Sequence, residues 1–266
     1  MESAPAALSG QVRSVGALFR VSEGDAVHCA ATAVQSREQN LIMTSARCLV
    51  DPRTRKGYKG LVFIPQYHDK TAPQGVYLLK DLFFPPGFLD DTSDPAYDYG
   101  FATVYNGAGS HPSGRAVDVG PLGANVPTQG LEWNLRVSNR YHAFGYPRTP
   151  TGEPRLFPGS ALQWCEGTSG RMSGHEALTI ECRIDRMAPG GPVIDAFDQR
   201  KGLGRVVGVV SGLLGDTPGE RPDGVAFAYF NSLFADIYAK ASTHTTGQPD
   251  LAAMKPVLDE LNLKTD

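Results

Sequence analysis

The chain has 266 residues, 41% of them hydrophobic and 20% charged, enough to bury a sizeable core in one large domain or two small ones. Its formal net charge of −3 supplies no basic field that would gather nucleic acid or anionic lipid, so no nucleic-acid partner is expected. Apolar stretches such as 203–214 are broken by Gly, Arg or Ser well short of the roughly 20 residues that cross a bilayer, and no membrane insertion is expected.

The first residues, Met1-Glu2-Ser3-Ala4-Pro5-Ala6-Ala7, lack the basic and apolar regions of a signal peptide but read like the small-residue stretch that follows a cleavage site. From there on, 30 Gly and 20 Pro punctuate short runs rich in Val, Ile, Leu, Phe and Tyr, the pattern of an all-β sandwich or barrel. Strands are expected at 12–20, 27–35, 41–45, 60–65, 75–82, 100–105, 135–146, 156–166, 178–182, 191–195, 204–211 and 225–229. Twelve strands suit two six-stranded barrels. The stretch 106–129, rich in Gly, Pro, Ser and Asn and without apolar periodicity, reads as the connection between them. The expected division is an N-terminal barrel over 1–115, a C-terminal barrel over 116–230 and a helix and tail over 231–266. In the last part, Leu233, Phe234, Ile237 and Tyr238 recur at helical spacing behind Asn231 or Ser232 as cap, and a second short helix is expected around 251–261.

Cys29, Cys48, Cys165 and Cys182 form an even set suited to two local disulfides and hence to an oxidising compartment. With no C-x-x-C, and with His28 the only His beside a Cys, metal-ligand spacing is absent, and neither metal nor cofactor is expected. The run Asp90-Asp91-Thr92-Ser93-Asp94 lacks the spacing and Gly of a calcium loop and reads as a solvated acidic turn. His68, His111, His142 and His175 have no partner visible in the sequence and read as surface or loop residues.

Two segments, Cys29-Ala-Ala-Thr-Ala-Val34 and Asn40-Leu-Ile-Met-Thr-Ser-Ala-Arg-Cys48, are joined in order by Leu61-Val-Phe-Ile-Pro65, Asp98-Tyr-Gly-Phe-Ala102, Gly145-Tyr-Pro147, Gly190-Gly191-Pro192 and Gly208-Val-Val-Ser-Gly212. This succession resembles the trypsin-like serine proteases over roughly residues 12–240, especially their bacterial extracellular, glutamyl-endopeptidase-like branch. The resemblance implies a pair of six-stranded antiparallel Greek-key β-barrels with a C-terminal helix. It also implies disulfides joining Cys29 to Cys48 and Cys165 to Cys182.

Acyl transfer in such a protease needs a serine nucleophile, a histidine base, an aspartate that orients the histidine, and backbone N–H donors for the oxyanion. Carried over residue by residue, the resemblance puts Asp98 at the aspartate, Arg47 at the histidine and Pro189 at the serine. A guanidinium stays protonated and accepts no proton, and proline has neither a hydroxyl nor an N–H. Met187 falls at the second oxyanion donor, a glycine in active relatives. The chain is therefore expected to be a pseudoprotease, with no serine-protease activity.

The remaining readings concern the cleft between the barrels. Arg47 and Asp98 read either as a buried ion pair replacing the Asp–His hydrogen bond or as a pair whose arginine serves a ligand anion. Arg183 aligns with the base of the specificity pocket and would either take an acidic group or fill the pocket. Ser211 and Gly212 lie on a strand that either lines the cleft, where an extended peptide adds by strand pairing, or is an ordinary barrel strand. Cleft candidates are thus Arg47, Asp98, Arg183, Met187, Ser211 and Gly212. The expected function is non-proteolytic binding of a peptide, protein or small-molecule ligand by a secreted bacterial protein. The alternatives are a scaffold recruited for a different reaction, with a cytoplasmic location, or a structural envelope module.

Overall fold

A computed structural model describes residues 12–21, 27–111, 113–146, 162–182, 187–215 and 223–263. Twelve strands build two barrels. The first uses β1 (Val15–Arg20), β2 (Val27–Val34), β3 (Leu41–Thr44), β4 (Leu61–Pro65), β5 (Tyr77–Phe83) and β6 (Gly100–Val104). The second uses β7 (Arg140–Gly145), β8 (Gln163–Arg171), β9 (Ala177–Glu181), β10 (Pro192–Asp198), β11 (Leu203–Leu214) and β12 (Gly224–Tyr229).

The first sheet runs β1-β2-β3-β6-β5-β4 and closes through β4 onto β1; the second runs β7-β8-β9-β12-β11-β10 and closes through β10 onto β7. The two barrels share one strand order although no repeat is visible in the sequence. All twelve expected strands meet a barrel strand. The eighth is displaced to Gln163–Arg171, and the N-terminal part of the stretch expected for it lies outside the described residues. The connection around 106–129 is more ordered than its composition suggests: Gly107–Ser110 and Ala116–Gly120 pair as an antiparallel ribbon, and Leu122–Asn125 makes one helical turn.

Strands of the first barrel are apolar on both faces, which is why their sequences read as continuous runs instead of alternating ones. Leu18, Ala31, Ile42, Phe63 and Ala102 pack in one cluster, while their neighbours Ala17, Ala30, Met43, Ile64 and Phe101 belong to another. That second cluster continues into Ile194, Val206 and Val209 of the other barrel and into the C-terminal helices. One apolar mass therefore welds the two halves together.

The helix α1 (Ser232–Ala241) follows the expected periodicity, with the Asn231 side chain accepting from the Leu233 N–H as cap. Its buried Phe234 stacks on Phe230 with ring centroids 3.8 Å apart and meets Tyr99 and Phe101 of the first barrel. Beyond it, Asn40 Nδ2 donates to the His244 carbonyl and to Thr246 Oγ1, and the Tyr238 hydroxyl donates to the Gln35 carbonyl. The chain thus leaves the second barrel and straps itself back over the first. The helix α2 (Leu251–Leu261), capped by Asp250, buries Met254, Leu258 and Leu261 at the end of the strap.

Both disulfides pair as the resemblance implies, Cys29 with Cys48 and Cys165 with Cys182. Among the described residues no group of three or more His, Cys, Asp or Glu side chains stands ready for a metal ion, and no helix is long and apolar enough to cross a membrane. The acidic run meets its oxygens with protein groups: Asp91 accepts from the Ser93 backbone and hydroxyl, Asp94 accepts from the Ala96 N–H and lies 3.3 Å from His175 Nδ1, and Asp90 lies 3.7 Å from Arg55.

His142 departs from the surface or loop position expected for it. It sits in β7 with its side chain only 14% exposed, stacked on Trp164 at 5.5 Å and near Phe197. Burial pushes the imidazole below its usual 6.5, an effect opposed by the Glu166 carboxylate and aided by the Arg140 guanidinium. A histidine lowered in the folded state is protonated first in the unfolded chain, so this group favours the fold above about pH 6.5 and opposes it as the pH falls below that value. An NMR titration of the His142 ring is expected to show a midpoint below the ordinary imidazole value of 6.5.

Candidate functional site

The residues singled out from the first half of the chain come together at one end of the first barrel. After β3, Ser45 opens a single 3-10 turn, Ala46–Cys48, and the disulfide from Cys48 to Cys29 of β2 pins that turn to the barrel. Arg47 is its middle residue. Asp98 follows the 3-10 turn Pro95–Tyr97, which Asp94 caps, and precedes β6, the neighbour of β3. Ser211 arrives from the second barrel, on β11.

Asp98 is fully buried, and its carboxylate is saturated with donors. One oxygen, Oδ1, accepts from the Ser45 hydroxyl at 2.5 Å and the Arg47 N–H at 3.0 Å. The other, Oδ2, accepts from Arg47 Nε at 2.5 Å and the Ser211 hydroxyl at 2.6 Å. Arg47 Nη2 donates in turn to the Ser211 oxygen at 3.1 Å, which closes a ring of Arg47, Asp98 and Ser211 across the two barrels. A buried carboxylate is tolerated only when its charge and lone pairs are met in this way. The Arg47 side chain remains 38% exposed, so the pair is buried on one side and wet on the other.

Facing this ring is the loop that leads into β10. The Pro189 carbonyl accepts from the Ala30 N–H at 2.8 Å, and the Gly190 N–H donates to the Val210 carbonyl at 2.8 Å. Gly190 has φ +94°, and a Cβ there would lie 2.2 Å from both the Ala30 carbonyl oxygen and Thr44 Oγ1. Only glycine fits, because the conformation is left-handed and two backbones meet there. Met187 is 4% exposed, and its side chain fills the space that Gly145 leaves by having no side chain of its own. It packs with the apolar cluster of the second barrel.

β11 is paired unequally along its length. Between Leu203 and Val206 it pairs with β10 on one side and, at Arg205 and Val206, with Gly130–Leu131 on the other; from Gly208 to Val210 it is bonded to β12 and to the β10 end. Ser211 falls at a bulge in the pairing with β12, and Gly212–Leu214 pair with β12 alone, so from Ser211 on no second strand is bonded to β11 among the described residues. A Cβ on Gly212 would meet nothing within 4 Å, so open space lies over the strand at that point. Arg183 lies outside the described residues.

Chemically, the arrangement offers a guanidinium that does not act as a base at ordinary pH, and a proline without hydroxyl or N–H on the facing loop. The groups that remain available are hydrogen-bond donors and a strand edge. Sequence reasoning missed Ser45: a serine before a helical turn reads as its cap, but this hydroxyl goes to Asp98 and makes no capping bond. The signal for it is the three-dimensional neighbour, not the spacing.

Neither a protein-family profile nor a curated protein sequence matches the chain. Solved structures do. A thermostable serine protease from an extremophilic microorganism is 24% identical, with a TM-score of 0.72 over 91% of this chain and all of that one. A protease from Arthrobacter nicotinovorans is 21% identical, with a TM-score of 0.70 over 88% of this chain and 97% of its own. A Glu endopeptidase is 16% identical, with a TM-score of 0.66 over 92% and 96%. This chain therefore has the two-barrel fold of the trypsin-like serine proteases, and the likeness runs through both barrels.

Three substitutions gauge the site. Asp98→Asn places an amide hydrogen against donors that already converge there, and is expected to cost about 3–5 kcal/mol, against about 1 kcal/mol for Ser211→Ala. Gly190→Ala is expected to cost about 3 kcal/mol, from the positive φ and the two short approaches. Chemical denaturation of the three variants checks the order.

Proposed function

We propose that this protein is a secreted pseudoprotease of bacterial trypsin-like type, which binds an extended peptide segment in the cleft between its barrels and does not cleave it. The observation that carries the reading is the closed ring of Arg47, Asp98 and Ser211, together with Pro189 on the loop that faces it. In an active relative those positions would hold a base and a nucleophile. Here the guanidinium keeps its proton, and the proline removes the hydroxyl and one oxyanion donor together. Met187, turned into the barrel core, stands where an active relative keeps the second donor's glycine.

Binding is favoured over a purely structural role because the recognition edge persists. Among the described residues the edge Ser211–Leu214 is paired on one side only and nothing comes within 4 Å of a Cβ on Gly212, the requirements for strand addition by a peptide. Two disulfides support an oxidising, extracellular setting. The trypsin-like fold, shared with solved serine proteases, supports descent from a peptide-handling ancestor.

A fluorophosphonate probe is expected to leave no covalent adduct on the protein, as read by intact mass; an adduct on any serine would overturn the reading. A degenerate pool of synthetic hexapeptides is expected to contain members retained by the protein. Gly212→Phe, whose Cβ would meet no described atom within 4 Å, should weaken their binding at least tenfold while leaving thermal stability unchanged.

A further inference from the structure

Arg47 commits only one edge of its guanidinium to the ring. Of the five N–H groups such a side chain carries, Nε donates to Asp98 and one hydrogen of Nη2 to Ser211. Both engaged groups lie on the side edge. The opposite pair, one N–H from Nη1 and one from Nη2, forms an end-on fork that has no partner among the described residues, on a side chain 38% exposed. A fork of that shape matches the two oxygens of a carboxylate.

The position of the fork relative to the open strand edge gives it a direction. Arg47 is bonded to Ser211, the first residue of the one-sided segment, so the fork stands at the N-terminal end of the edge Ser211–Leu214. A peptide that pairs antiparallel with this edge runs the other way and finishes beside Ser211, its C-terminal carboxylate at the fork. A parallel peptide would bring its terminal ammonium against the guanidinium, a like-charge contact that disfavours it. The space over Gly212 leaves the approach free.

We infer that the cleft takes the free C-terminal carboxylate of a peptide, held end-on by Arg47, with the preceding residues paired antiparallel to Ser211–Leu214. The inference rests on the reading of the cleft as a peptide site and names the part of the peptide that the site selects. Asp98 balances the arginine charge, so attraction at long range is weak and selection rests on the two short hydrogen bonds. The carboxylate of a free C-terminus and that of an acidic side chain share this chemistry; the strand geometry favours the terminus, because a side chain projects away from the strand direction.

Three hexapeptide pools separate the outcomes on the unmodified protein: free C-terminal acids, the same sequences amidated, and amidated sequences ending in glutamate. The free acids are expected to bind at least tenfold more tightly than either amidated pool by fluorescence polarisation. Arg47→Lys, which keeps the charge beside Asp98 but has no fork, is expected to bring the free-acid and amidated pools within about twofold of each other. Equal binding of acids and amides to the unmodified protein would overturn the carboxylate assignment and leave the peptide reading standing. Binding of the glutamate amides as tightly as the free acids would overturn the choice of the terminus. Retention of no pool would remove the peptide reading, and this inference with it.

Discussion

The structure turns on one carboxylate. Asp98 is fully buried where the two barrels meet, and an unpaired charge in that place would be costly enough to unfold a domain of ordinary stability. Its four donors come from three residues on two segments: Ser45 and Arg47 from the turn held by the first disulfide, and Ser211 from a strand of the other barrel. Meeting that charge therefore fixes the turn, the strand and the relative position of the barrels together. The alternatives weighed from sequence, a structural ion pair or a ligand anion site, are not exclusive in this geometry. One edge of Arg47 serves Asp98 and the other faces solvent.

The facing loop obeys a separate constraint of close approach. The Pro189 carbonyl is bonded to Ala30 of β2, and Gly190 passes so near Ala30 and Thr44 that any side chain would collide. The loop thus keeps a tight backbone path while the residue at its tip carries no reactive group.

Much of this was legible in the sequence because it depends on local chemistry. Twelve apolar runs set off by Gly and Pro located every barrel strand but the displaced β8, and Asn231 and the spacing of Leu233, Phe234, Ile237 and Tyr238 located the first C-terminal helix. Arg47, Asp98 and Ser211 could be named, but their meeting could not, since the residues lie 51 and 164 positions from Arg47. Ser45 was invisible because its partner is tertiary. The displaced β8 and the ribbon after β6 were misjudged for a related reason: Gln163–Arg171 is a weak strand former held by β7 and β9 on either side, and Gly107–Ser110 and Ala116–Gly120 are weak strand formers that pair with each other. His142 reads as exposed until the stacked rings of Trp164 and Phe197 cover it.

The strap after the second barrel has a mechanical meaning as well. Two barrels joined by a single connection could hinge, and a groove between them would open and close with that motion. Here the chain crosses the junction a second time, through α1 and the bonds from Asn40 and Tyr238, and the Gly247 carbonyl accepts from the Asn106 N–H at the start of the connection, so two crossings braced against each other hold the halves. A visitor to such a groove meets walls already set at their final spacing, and little ordering is left for association to oppose.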